Sequence, residues 1–157
     1  MCTMTSNRPF LFPSPSRRHV VVCVLSCLLS ASSAFAADLA ADVVGSWKKV
    51  SHTVTMEGTS IDTHAALLKQ RPCAAAVRYN VKADGTFRLG ASASDCDARY
   101  KSIQERLYAE TQWRVEGNRF TTSATNFAVG QTYTVTVSGN RMTWVGTDGQ
   151  GTLVFQR

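Results

Sequence analysis

The stretch QTYTVTVSGNRMTWVGTDGQGTLVFQR, residues 131–157, decides the fold. Tyr133, Val135 and Val137 alternate with Thr132, Thr134 and Thr136. A period of two puts the first set on one face of a strand and the threonines on the other. Ser138-Gly139-Asn140 interrupts the run, and Arg141 to Thr147 returns. Asp148-Gly149-Gln150-Gly151 interrupts it again before Thr152 to Arg157. Glycine tolerates the positive φ that tight hairpins require, so consecutive strands joined by such turns read as a meander.

The same grammar extends upstream. Gly45-Ser46-Trp47 opens a strand running to Met56, in which Val50, His52, Val54 and Met56 share a mostly apolar face. Glu57-Gly58-Thr59-Ser60 reads as a turn. Asp62 or Ser60 caps a short helix through Lys69, with Leu67 and Leu68 expected inward and Pro72 just past its end. Ala75 to Lys82 and Thr86 to Ala91 flank the hairpin Ala83-Asp84-Gly85, with Val77, Tyr79, Val81, Phe87 and Leu89 inward. Asp97 caps a second helix through Ala109, with Tyr100, Ile103 and Leu107 at helical spacing. Thr111 to Val115 and Arg119 to Ser123 flank Glu116-Gly117-Asn118.

These segments predict an all-β fold: an eight-stranded antiparallel up-and-down barrel with one or two short helices. An open meander exposes two strand edges; pairing the first strand with the last removes both. A barrel of that size is either filled by its own side chains or holds one small ligand.

At Trp47 the pattern resembles the lipocalin-like (calycin) proteins, in which a Gly-x-Trp opens the first strand. There the Trp lies across one barrel end, and an Arg near the end of the last strand packs on it. This chain offers Gly45-Ser46-Trp47 and closes on Phe155-Gln156-Arg157. An Arg over an indole contributes about 0.5–2 kcal/mol. Short secreted bacterial lipocalin-like domains are similar in three further features. These are the aromatic strand before Asp84-Gly85-Thr86-Phe87, a Cys on each side of that hairpin, and Trp113 ahead of Glu116-Gly117-Asn118. The resemblance covers most of 45–157 and implies structural roles for Trp47 and Arg157. No helix follows the last strand, and a second Thr-Asp-type motif is not evident, so no classical lipocalin ligand is carried over. The helix after the first strand is closer to the lid of fatty-acid-binding relatives.

Residues 1–36 read as a leader. Arg8, Arg17 and Arg18 precede the apolar run Val20–Leu29, and small residues end in Ala34-Phe35-Ala36. Basic, apolar, then small-x-small is a signal peptide with cleavage after Ala36. The run is shorter than the roughly 20 residues of a membrane span, and none occurs later. Export to the periplasm or beyond is expected, with the domain over 37–157. The chain carries 17 basic and 11 acidic residues, net +6; the leader's three arginines leave 14 against 11 after Ala36, net +3. The remaining charges look scattered, which argues against a nucleic-acid partner. Cys2, Cys23 and Cys27 fall in the leader, so Cys73 and Cys96 are expected to form a disulfide.

The inward aromatic set is Tyr79, Phe87, Trp113, Phe120, Tyr133 and Trp144. Hollow, the barrel would use Tyr79, Phe87, Trp113, Tyr133 and Trp144 to line a pocket for a small apolar or amphipathic ligand. Filled, they are core. Buried phenols need partners, which singles out Tyr79 and Tyr133. His52 and His64 have no neighbours that assign them chemistry. No nucleophile elbow, HExxH, P-loop or GxGxxG occurs. No catalytic residue, metal or cofactor is expected. The leading expectation is a monomeric exported binding module and not an enzyme. Its rival is a protein-interaction module, such as a periplasmic hydrolase or protease inhibitor on a filled scaffold.

Overall fold

A computed structural model describes residues 39–147 and 149–157. The leader and its cleavage point lie outside them. The chain is mostly β, an antiparallel barrel of eight strands with short helices at its margins. Helical residues 39–43 (α1) occupy part of the segment expected to be loose. Then follow β1 (Gly45–Met56), β2 (Thr59–Asp62), α2 (Thr63–Gln70), a 3-10 turn (Pro72–Ala76), β3 (Arg78–Val81), β4 (Phe87–Gly90) and α3 (Ala98–Leu107). β5 (Gln112–Glu116), β6 (Arg119–Ser123), a 3-10 turn (Phe127–Val129), β7 (Gln131–Ser138), β8 (Arg141–Gly146) and β9 (Thr152–Gln156) complete the order.

The wall runs β4-β3-β1-β9-β8-β7-β6-β5, with β2 paired to the far half of β1. The first and last strands do meet: Lys48 opposes Gln156 and Lys49 opposes Phe155. The remaining seam, β4 against β5, is stitched at one end. Thr86 bridges Gln112, Phe87 N donates to Thr111 O at 3.0 Å, and Trp113 N donates to Gly85 O at 2.8 Å. The Arg88 guanidinium crosses the same seam, donating to the carbonyls of Phe87, Tyr108 and Thr111. Closure is therefore nearly complete.

α2 and α3 both start where the sequence places a carboxylate. Asp62 Oδ1 accepts from His64 N at 2.9 Å and Ala65 N at 3.0 Å, and Asp97 Oδ1 accepts from Tyr100 N at 2.8 Å. Each satisfies orphan donors of a first turn. Cys73 and Cys96 are disulfide-bonded, tying the first 3-10 turn to the loop before α3. Among the described residues no helix is long and apolar enough to cross a membrane.

Several expectations need correction. A bulge between Lys49 and Ser51 shifts the register of β1 on β9. One extra residue flips the face that follows. Trp47 and Lys49 share the inner side with Tyr79 and Phe155, while Val50 is turned out, 37% exposed. Met56 projects beyond the wall. The turn after it is only Glu57-Gly58, both at positive φ, and Thr59 already pairs back as β2. Ala75 and Ala76 belong to a 3-10 turn led by Pro72, so β3 begins at Arg78. Leu67, Ile103 and Leu107 are exposed: α3 buries no residue fully and meets the barrel mainly beside β4, through Tyr100 and Tyr108.

Candidate functional site

The barrel centre is built from inward strand residues. Trp47, Phe87, Phe120, Met142 and Phe155 are the largest fully buried side chains, with Trp144 beside them. Their rings touch across the lumen: Trp144 lies 4.6 Å from Phe120, 4.7 Å from Phe155 and 6.0 Å from Phe87, centre to centre. Aromatic pairs at such spacing are packed against one another. Tyr79, Phe87, Trp113, Tyr133 and Trp144 are thus brought into one cluster, with their rings filling much of it. Trp113 lies at the rim, stacked on Phe120, its Nε1 donating to Lys82 O at 2.8 Å.

One end is capped. Trp47 Nε1 donates to Val43 O at 2.8 Å, and the Arg157 guanidinium carbon lies 4.3 Å from the Trp47 ring centre. Arg157 also donates to the carbonyls of Asp42 and Val44. The expected pairing of Trp47 with Arg157 is present.

The other end is polar and was missed by sequence reasoning. Lys49 extends inward from β1, its Nζ 5.3 Å from the ring centre of Tyr79. Burial lowers its pKa, against the opposing pull of Tyr108, Tyr100 and Asp62. It makes no ion pair among the described residues. Burial pushes the Tyr79 phenol up to about 12 and raises Tyr108 and Tyr133 as well. A half-buried ammonium thus lies by the Tyr79 ring, with the Asp62 carboxylate near enough to act on its charge but not paired with it. Tyr108 also lines a groove of about 260 Å³ with Leu107, Thr122 and Gln131. Tyr133 Oη donates to Gln131 Oε1 at 3.3 Å beneath it. The residues concerned lie on β1, β3, α3 and β7, and only the curl of the wall brings them together.

Two further donors in the interior have no acceptor. Trp144 Nε1 is buried among aromatic rings, and both ring nitrogens of His64 are buried under α2 without partners. Burial first, then the nearby Lys49 charge, lowers the His64 pKa, so its ring is held neutral. The His52 ring reaches Gln150 O at 3.0 Å. The Asp62 carboxylate meets the His52 backbone N at 3.2 Å. Burial raises the Asp62 pKa, but the backbone donors Ala65, His52 and His64 outweigh it and hold the carboxyl below its ordinary value. Neither His52 nor Tyr133 has a carboxylate as a side-chain hydrogen-bond partner among the described residues. No cluster of metal-binding side chains occurs among them.

No protein-family model matches the chain, and neither the curated proteins nor the solved structures contain a significant match to it.

Proposed function

We propose that this chain is an exported, lipocalin-like binding module that takes a small amphipathic molecule bearing an anionic or acceptor-rich head. The observation that carries the reading is Lys49: an inward ammonium 5.3 Å from the Tyr79 ring centre, with Tyr100 and Tyr108 near enough to act on its charge and no ion pair of its own among the described residues. A charge kept from water without a partner is costly, and a ligand oxygen at Nζ would repay it. Trp144 Nε1 is a second donor in want of an acceptor.

The aromatic floor limits how deep the ligand goes. Its body would lie toward the groove by Leu107 and Tyr108, where Ile103 and Leu107 supply exposed apolar surface. This moves the site from the barrel centre, where a hollow barrel would hold it, to the mouth. No catalytic step is assigned. The disulfide and the leader pattern support residence in an oxidising compartment outside the cytoplasm.

Titration with dodecanoate, dodecanol and dodecyltrimethylammonium, followed by native mass spectrometry and calorimetry, tests the reading. Dodecanoate should bind tightest, and Lys49→Met should weaken it at least roughly tenfold while leaving dodecanol within about twofold. Silence from all three, or indifference to Lys49→Met in a folded protein, overturns it.

A second reading is a protein-interaction module. The filled centre and the β1–β2 hairpin favour it: Met56 is 61% and Ile61 41% exposed beyond the wall. Met56→Ser with Ile61→Ser would abolish partner capture under this reading and leave dodecanoate binding intact.

A further inference from the structure

The outer wall has a charge distribution that folding does not explain. Across the eight barrel strands the only carboxylate is Glu116, held by Arg114 at 3.2 Å. The same strands carry Lys48, Arg78, Arg88, Arg114, Arg119 and Arg141 facing outward, alternating with buried neighbours such as Trp47, Phe87, Phe120 and Met142. Carboxylates sit instead in turns and at helix caps, where Asp84, Asp97 and Asp62, the last at the end of β2, accept backbone donors.

Strand register turns part of this excess into a row. Arg78 opposes Lys48, Lys48 opposes Gln156, Gln156 opposes Arg141, and Arg141 opposes Ser138. Neighbouring strands lie about 4.8 Å apart, so Arg78 to Arg141 spans about 14 Å around the wall. Lys48 and Arg78 are like charges directly opposite, an arrangement that costs stability. None of the three cations forms an ion pair among the described residues. Arg88, by contrast, is spent on the seam carbonyls.

We propose that this row is a docking surface for a linear acidic polysaccharide. Charge sign requires a polyanion. The row bends with a narrow eight-stranded cylinder, so a flexible chain follows it, whereas a flat anionic bilayer touches a convex wall along one line. Single-stranded nucleic acid is gripped largely by stacking on aromatic side chains. Here the aromatic rings of β1, β3, β8 and β9 face inward. Gln156 stands between Lys48 and Arg141, Ser138 lies just past Arg141, and Ser46 and Asn80 flank Lys48 and Arg78 on the same face, hydroxyl and amide groups suited to sugar hydroxyls. The surface is independent of the Lys49 mouth.

The test is binding of the purified protein to polygalacturonate and heparin, with dextran, oligo(dT) and phosphatidylglycerol vesicles alongside. Polygalacturonate or heparin should bind at 50 mM salt and weaken roughly tenfold by 200 mM. Dextran should not bind. The triple variant Lys48→Gln, Arg78→Gln, Arg141→Gln should lose at least roughly tenfold. A helix control, Lys69→Gln, Lys101→Gln, Arg106→Gln, should stay within about twofold. Near-UV circular dichroism confirms the fold of each, and single Lys48→Gln and Arg141→Gln variants serve if the triple does not fold. Failure of both acidic polymers to bind, equal losses in control and row variants, or tighter binding to oligo(dT) or vesicles each overturns the proposal.

Discussion

The guanidinium carbon of Arg157 stands 4.3 Å from the ring centre of Trp47, and its nitrogens reach the carbonyls of Asp42 and Val44. One side chain thus fastens the end of β9 to both the start of β1 and the helical residues before it. Arg157→Ala removes the ring contact and both hydrogen bonds, a loss of about 2 kcal/mol. Arg157→Lys keeps the charge but loses the planar fork, and should recover less than half of that. Urea denaturation reads both, as a lower midpoint at unchanged slope. A shift below about 0.5 kcal/mol for the alanine variant would show that this cap contributes little.

His64 predicts an acid-sensitive fold. Burial and the Lys49 charge depress its pKa below the ordinary 6.5. The unfolded chain therefore takes up this proton before the folded one does. Stability from this group is full above about pH 6.5 and declines as pH falls from there through the lower folded value. His64→Leu removes the titration and the unpartnered nitrogens together. It should flatten the stability profile between pH 7 and 5, and at pH 5 exceed the parent by about 1–2 kcal/mol. An unchanged slope in His64→Leu would assign the pH response elsewhere.

Reducing the Cys73–Cys96 bond releases a loop with a sequence separation of 23. The chain-entropy relation gives about 3 kcal/mol for that length. Thermal melts with and without dithiothreitol should differ by roughly 10 °C. Equal melting temperatures would mean the bridge holds nothing the wall does not already hold.

Gly151 shows where backbone approach tolerates no side chain. A Cβ there would sit 2.2 Å from Thr53 O, and the residue has φ +76°. Gly151→Ala should cost about 3 kcal/mol or more, since the nearest atoms include the Thr53 backbone, which cannot swing aside. Gly139→Ala, also at positive φ but in open space, should cost about 1 kcal/mol. Chemical denaturation of the two variants separates crowding from conformational strain.

The strands were legible because alternation and glycine turns both report on them; β6 begins and ends as expected, at Arg119 and Ser123. α2 and α3 were legible from their carboxylate caps, Asp62 and Asp97, whereas α1 was not. What failed was parity in β1. The bulge between Lys49 and Ser51 leaves no mark on side-chain pattern, so Val50 read as part of the apolar face and Lys49 drew no notice. The mouth was hidden for a related reason. Lys49, Tyr79 and Tyr108 come together only after the wall has curled, and nothing local in the sequence links them. The outer cationic row needed register, because Lys48, Arg78 and Arg141 are remote along the chain.

The adjacency of β1 and β9 sets a timetable. The 107 residues from 49 to 155 lie between Lys48 and Gln156, yet these two residues are partners. While the chain is being made, β1 therefore carries a vacant edge that only the final strand can occupy. Such non-local pairing is slow and leaves sticky backbone on offer meanwhile. The wall can close on β1 only once β9 has been made.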